Sequence, residues 1–225
     1  LLLLPAAAAA LLSASCVFET RPEHPGILFM GNSITQNAPA PESGWPHDWG
    51  MAATARERDY VHQTVRLLEE RGMPLRMEIA GKPCPDCDGA LDEQANNMEQ
   101  VRRFRPRYVV VQLSEHSHDI ELRSGKMTAQ YRTLLANLAK EGVRHIYCVG
   151  AWTEKVKDGA YSQYIRMAVK DFPEAEFVDI HEVAARPGND GDPALFDNPH
   201  VLWHPGDAGM LGIARLIADA VWEDR

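Results

Sequence analysis

Apolar residues fall into short blocks separated by longer amphipathic stretches, and the two kinds alternate along most of the chain. Ile27-Leu-Phe-Met30 and Tyr108-Val-Val-Val111 are continuous apolar blocks, as strands buried on both faces require. Leu75-Arg-Met-Glu-Ile-Ala80 instead alternates apolar with charged residues and suits a sheet edge. Val143 to Val149 and Glu176 to Ile180 complete five strands. Between them run helical faces: Val61, Val65 and Leu68, ended by Gly72; Leu91, Ala95, Met98 and Val101; Met127, Tyr131, Leu134, Leu135 and Leu138; and the segment Gly159 to Asp171. A last helix is predicted from Pro205, burying Met210, Ile213, Ala214, Ile217 and Val221. Helical pattern also resumes from about Asp48, after a proline-bearing loop from Gln36 to His47. Strand and helix in strict alternation predict an α/β fold with helices on both faces of a parallel sheet. An edge-like second strand and a buried third one favour the flavodoxin-like order 2-1-3-4-5 in a three-layer α/β/α sandwich.

A length of 225 residues suits one such domain, which the patterning places from residue 26 to 225. The net charge of −9, without any run of Lys or Arg, argues against nucleic acid as a partner. Residues 1 to 16 are different in kind: uncharged, apolar or small, and ending in Ser13-Ala-Ser15 before Cys16. That is the composition of the later part of an export signal, too short for a comfortable membrane span. Cys16 permits two readings, a lipoprotein processing site or simple secretion, so any membrane association would run through a lipid on that cysteine. Export to an oxidising compartment makes a loop disulfide the first reading of Cys84-Pro-Asp-Cys87, whereas Cys148, inside an apolar block, reads as a buried thiol.

Strand one breaks at Gly31 and presents Ser33 two residues later, at the carboxyl edge where open α/β sheets bind ligands. Taken alone, such a serine is more simply a turn or capping residue. His204 stands at the start of the final helix, whose positive end disfavours an added proton and keeps a neighbouring imidazole ready to accept one. A serine and a basic histidine delivered to one sheet edge are the parts of an activated nucleophile.

Gly31-Asn-Ser33-Ile-Thr35 and His204-Pro-Gly-Asp-Ala-Gly209, at opposite ends of the domain, resemble the two end blocks of the SGNH, or GDSL-like, hydrolase superfamily. Trp49-Gly-Met-Ala-Ala53 and Asp59-Tyr-Val-His62 are similar to segments of bacterial secreted members that act on carbohydrate esters; by themselves, Asp59 and His62 read as a hydrogen-bonded pair on one helix face. The resemblance implies Ser33 as nucleophile, His204 as general base, and the Ser33 amide as one oxyanion donor. Gly81 after strand two would be a second, with Gly89 the fallback. Two positions depart from the family pattern. Ser114-Glu-His116 stands where Gly-x-Asn is usual, leaving His116 in place of the oxyanion asparagine. Val201 stands where the orienting aspartate is usual, leaving Asp197 as the nearest upstream carboxylate, Asp192 next, and a backbone carbonyl as the other means of holding the ring. Trp45, Trp49 and Trp203 adjoin these blocks, and Trp49 and Trp203 are candidates to lie against sugar rings. The implied protein is an exported serine esterase removing short acyl groups, acetyl foremost, from a carbohydrate or small-molecule ester, with no metal or other cofactor. The alternative is a catalytically degenerate carbohydrate-binding module on the same fold.

Overall fold

The computed structural model describes residues 23–80, 90–113, 115, 124–156 and 159–225. The signal-like segment with Cys16, and Gly81, Cys84, Cys87, Gly89 and His116, lie outside the described residues.

Five parallel strands, β1 (Gly26–Gly31), β2 (Arg76–Ala80), β3 (Tyr108–Gln112), β4 (His145–Val149) and β5 (Ala175–Val178), form one sheet in the order 2-1-3-4-5. Every β1 residue is buried, while β2 at the edge is half-buried over most of its length, as its alternating pattern demands. Period-two alternation divides the sheet into two cores. Leu28, Met30, Val109, Val111, Ile146 and Cys148 face one way, against α2 (Ala90–Asn96), α3 (Glu99–Phe104), α4 (Lys126–Lys140) and α5 (Ala160–Val169). Ile27, Phe29, Tyr108, Val110, Tyr147 and Val149 face the other, against α1 (Tyr60–Glu70) and the C-terminal helix. Short helices α6 (His181–Ala184) and α7 (Pro199–Leu202) precede that helix, α8 (Asp207–Glu223). Cys148 is a buried free thiol whose pKa burial pushes up. Among the described residues no helix is long and apolar enough to cross a membrane.

Helix boundaries differ from expectation in three places. The stretch from Asp48 is not helical: Met51 gives its amide to the Ser33 carbonyl (2.9 Å) and Ala52 takes a left-handed φ of 71°. Helix α1 starts only after Asp59, which caps it by accepting from the His62 amide at 2.8 Å. The single face of Leu91, Ala95, Met98 and Val101 is carried by two helices that meet at Asn97 and Met98, and all four side chains are buried. Helix α8 begins at Asp207, two residues after Pro205.

Candidate active site

At the carboxyl end of β1 the chain turns sharply, with the Asn32 carbonyl accepting from the amides of Thr35 and Gln36, both at 2.8 Å. Gly31 is required there, because a Cβ on it would lie 1.8 Å from Thr35 Oγ1. Thr35 is fully buried, and its hydroxyl meets the Tyr60 phenol at 2.7 Å. Burial pushes the Tyr60 pKa far up, so the phenol stays neutral and this tie to α1 is insensitive to pH. The loop from Gln36 to Ala53 folds over the turn and is pinned to it by the Met51 amide on the Ser33 carbonyl. A small apolar cluster of Trp45, Met51, Ala52 and Val201 then joins this loop to α7.

His204 follows α7, and its Nε2 lies 2.8 Å from Ser33 Oγ, across 171 residues of sequence. Both residues are buried, at 7% and 3% exposure, so their hydrogen bond is shielded from competing water. The loop carrying His204 is gripped from behind. Gly191 donates its amide to the His204 carbonyl (2.8 Å) and Gly206 donates to the Asn189 carbonyl (2.9 Å). Trp152, just past β4 and fully buried, donates Nε1 to the Trp203 carbonyl (2.9 Å) and to Asp190 Oδ1 (3.2 Å). Gly209 admits that indole, since a Cβ there would come within 2.7 Å of it. The Trp152 amide in turn donates to Glu115 (2.7 Å), whose other oxygen accepts from Gln112 at the end of β3 (2.8 Å).

Of the residues singled out from sequence, Ser33 and His204 are brought together. Asp197 is exposed, with a carboxylate oxygen 4.0 Å from where a Cβ on Gly44 would stand, and it makes no hydrogen bond to His204. Val201, at the usual position of the acid, is buried among apolar side chains where an ionised carboxylate would be unsolvated. Trp49 and Trp203 are half-buried, and each already has an imidazole against it: His47 on Trp49, centroids 4.1 Å apart, and His204 against Trp203, centroids 3.7 Å apart and planes at 30°. Asp59 and His62 form the expected pair, with both carboxylate oxygens within 2.9 Å of Nδ1. Sequence reasoning passed over the Thr35–Tyr60 tie and the Glu115–Trp152 support. For Trp152 a signal existed, because it follows a strand directly at the carboxyl edge.

A cleft of about 930 Å³ opens at the start of α8, lined by Thr54, Arg58, Asp190, Asp192, Leu195 and Asp207 among others. Neither Ser33 nor His204 lines it. Asp207 accepts from the Thr54 amide and hydroxyl and from Arg58. Burial raises its pKa, but those donors outweigh burial and hold the carboxyl below its usual range. Among the described residues no group of three His, Cys, Asp or Glu side chains is arranged to hold a metal.

A parallel sheet in this order matches solved structures, two of the three named below over most of their length. The fold is that of the SGNH hydrolases. A family 3 carbohydrate esterase from Clostridium thermocellum is similar at 17% identity, covering 90% of this chain and 97% of that one with a TM-score of 0.59. TesA is similar at 14% identity, covering 87% and 97% with a TM-score of 0.58. A two-domain esterase active on acetylated mannans is similar at 15% identity, covering 89% of this chain and 49% of that one with a TM-score of 0.60. No family model and no curated relative matches the chain. In the SGNH fold the carboxyl edge of the sheet carries the Ser33 turn, and the loop before the last helix carries His204.

Proposed function

We propose that the protein is an exported serine esterase that removes short acyl groups, acetyl foremost, from carbohydrate or small polyol esters. The observation that carries the reading is the 2.8 Å contact between Ser33 Oγ and His204 Nε2 at the carboxyl edge of the sheet. With Nε2 unprotonated, His204 accepts the Ser33 proton as Oγ bonds to the ester carbonyl carbon, and the carbonyl electron pair moves onto oxygen. The tetrahedral intermediate collapses with cleavage of the bond to the alcohol oxygen, which leaves carrying the proton from Nε2. Water then repeats the sequence on the acyl-serine and releases the acid. The Ser33 amide is the first oxyanion donor in this reading, with Gly81 and His116 as its companions. Asp197, the carboxylate that the sequence offered for orienting the ring, stands beside Gly44, so the steps above are carried by Ser33 and His204.

Carbohydrate as the alcohol is supported by the esterase names of similar structures. Trp49 and Trp203 would offer to a sugar whatever part of their rings the imidazoles leave uncovered.

The test is turnover of 4-nitrophenyl acetate and octanoate, with fluorophosphonate labelling followed by peptide mapping. Label on Ser33, faster release from acetate, and loss of both signals in Ser33→Ala with an unchanged melting curve are expected. A folded protein that takes no label would point to a binding module, and a clear preference for octanoate would move the assignment to a lipase.

A further inference from the structure

Val201 is buried in an apolar cluster, and the Asp197 carboxylate stands beside Gly44. The indole of Trp203 lies on His204, with ring centroids 3.7 Å apart and a 30° tilt, well inside the range over which an aromatic face attracts a cation. We infer that Trp203 is a positioning residue for His204 that also stabilises its protonated form, by presenting the electron-rich indole face to the imidazolium generated as Ser33 attacks. The inference rests on the esterase reading and assigns Trp203 a role at the base in addition to any contact with substrate.

Three observations give the indole the fixed placement this needs. Its carbonyl accepts from Trp152 Nε1 at 2.9 Å, and Trp152 is itself buried and held by Glu115. The neighbouring His204 carbonyl accepts from Gly191, so hydrogen bonds hold the main chain of both residues in place. His204 is 3% exposed, which removes the water that would otherwise screen a cation against an aromatic face. The charged groups on the described elements around this loop are engaged with other partners: Asp190 with Lys155, Asp207 with Arg58 and Thr54, and Glu115 with Gln112 and Trp152. They stay the same in every variant below, so differences between variants report the indole.

The contribution is specific to the transition state. In the form that can accept the proton the imidazole is neutral and the stack is an ordinary aromatic contact; during attack the ring carries the Ser33 proton and a full charge. Removing the indole face should therefore lower kcat and leave KM nearly unchanged. The strength of such a contact at a desolvated site corresponds to about a three- to thirtyfold change in rate.

The experiment uses Trp203→Phe, Trp203→Leu and site-specific replacement of Trp203 by mono-, di- and trifluorotryptophan, measured on 4-nitrophenyl acetate. Fluorination drains the ring face of negative potential while nearly preserving shape, so it separates electrostatics from packing even where Trp203→Leu folds poorly. Expected is a stepwise fall of kcat with each fluorine, Phe intermediate and Leu lowest, at constant KM. A flat kcat across the fluorinated series, or a loss confined to KM, would overturn the inference and leave the esterase reading standing. A parent protein inactive on every ester would overturn both.

Discussion

Gly31→Ala isolates the contact that shapes the Ser33 turn. The added Cβ would lie 1.8 Å from Thr35 Oγ1, 2.6 Å from Thr35 Cβ and 3.0 Å from the Gln112 carbonyl. Thr35 cannot yield cheaply. It is β-branched, fully buried and bonded through its hydroxyl to Tyr60, so relief requires moving the backbone of the turn or breaking that bond. Overpacking of this kind costs about 1–3 kcal/mol, and a buried hydroxyl left without its partner about 1–3 kcal/mol more. Together they predict a loss of about 2–6 kcal/mol, or a fall in melting temperature of about 4–24 °C for a chain of this size. Displacing the turn also moves Ser33 Oγ from its 2.8 Å contact, and an error of about 1 Å at a reacting atom is worth about a hundredfold in rate. The control is Gly72→Ala, where φ is 83° and no atom lies within 4 Å of the new Cβ. It has only a left-handed backbone to disfavour it, about 1–2 kcal/mol, and should keep full turnover. Thermal melts and 4-nitrophenyl acetate kinetics on both variants decide the matter. If Gly31→Ala melts and turns over like Gly72→Ala, the Thr35 contact does not shape the Ser33 turn.

Asp197→Asn should change kcat less than about threefold, because the exposed carboxylate has no bond to His204; a fall of about a hundredfold or more would mean that the loop closes and Asp197 is the triad acid after all. Asp207→Asn should alter the pH dependence of stability. The folded pKa of Asp207 lies below its unfolded value of about 3.9, so its stabilising effect is present above that value and is lost as pH falls through the folded pKa. The melting-temperature gap between the parent and Asp207→Asn should thus be open at pH 7 and close towards pH 3, whereas an equal gap at both would mean the Thr54–Arg58 clasp does not depend on the charge.

The order of the sheet and the two faces of each strand were legible because they are periodic and local. A run such as Tyr108-Val-Val-Val111 has no solvent-tolerant side, and Leu75 to Ala80 has one, so centre and edge follow from burial alone. Ser33 and His204 were legible for a related reason: each adjoins a boundary between elements, and a parallel sheet sends all such boundaries after strands to one edge. The helical pattern from Asp48 misled, since spacing cannot register that the Met51 amide would be taken by the Ser33 carbonyl instead of a helical turn. Proximity in sequence likewise brought Asp197 forward as a partner for His204, while the fold turned its carboxylate towards Gly44 and buried Val201 in an apolar cluster. Glu115, Trp152 and Trp203 converge behind and upon His204 from three separate loops. Which loop atoms meet across that edge depends on distances of a few tenths of an ångström summed over many backbone angles. No local pattern encodes such distances, so the tertiary structure alone decided what surrounds the imidazole.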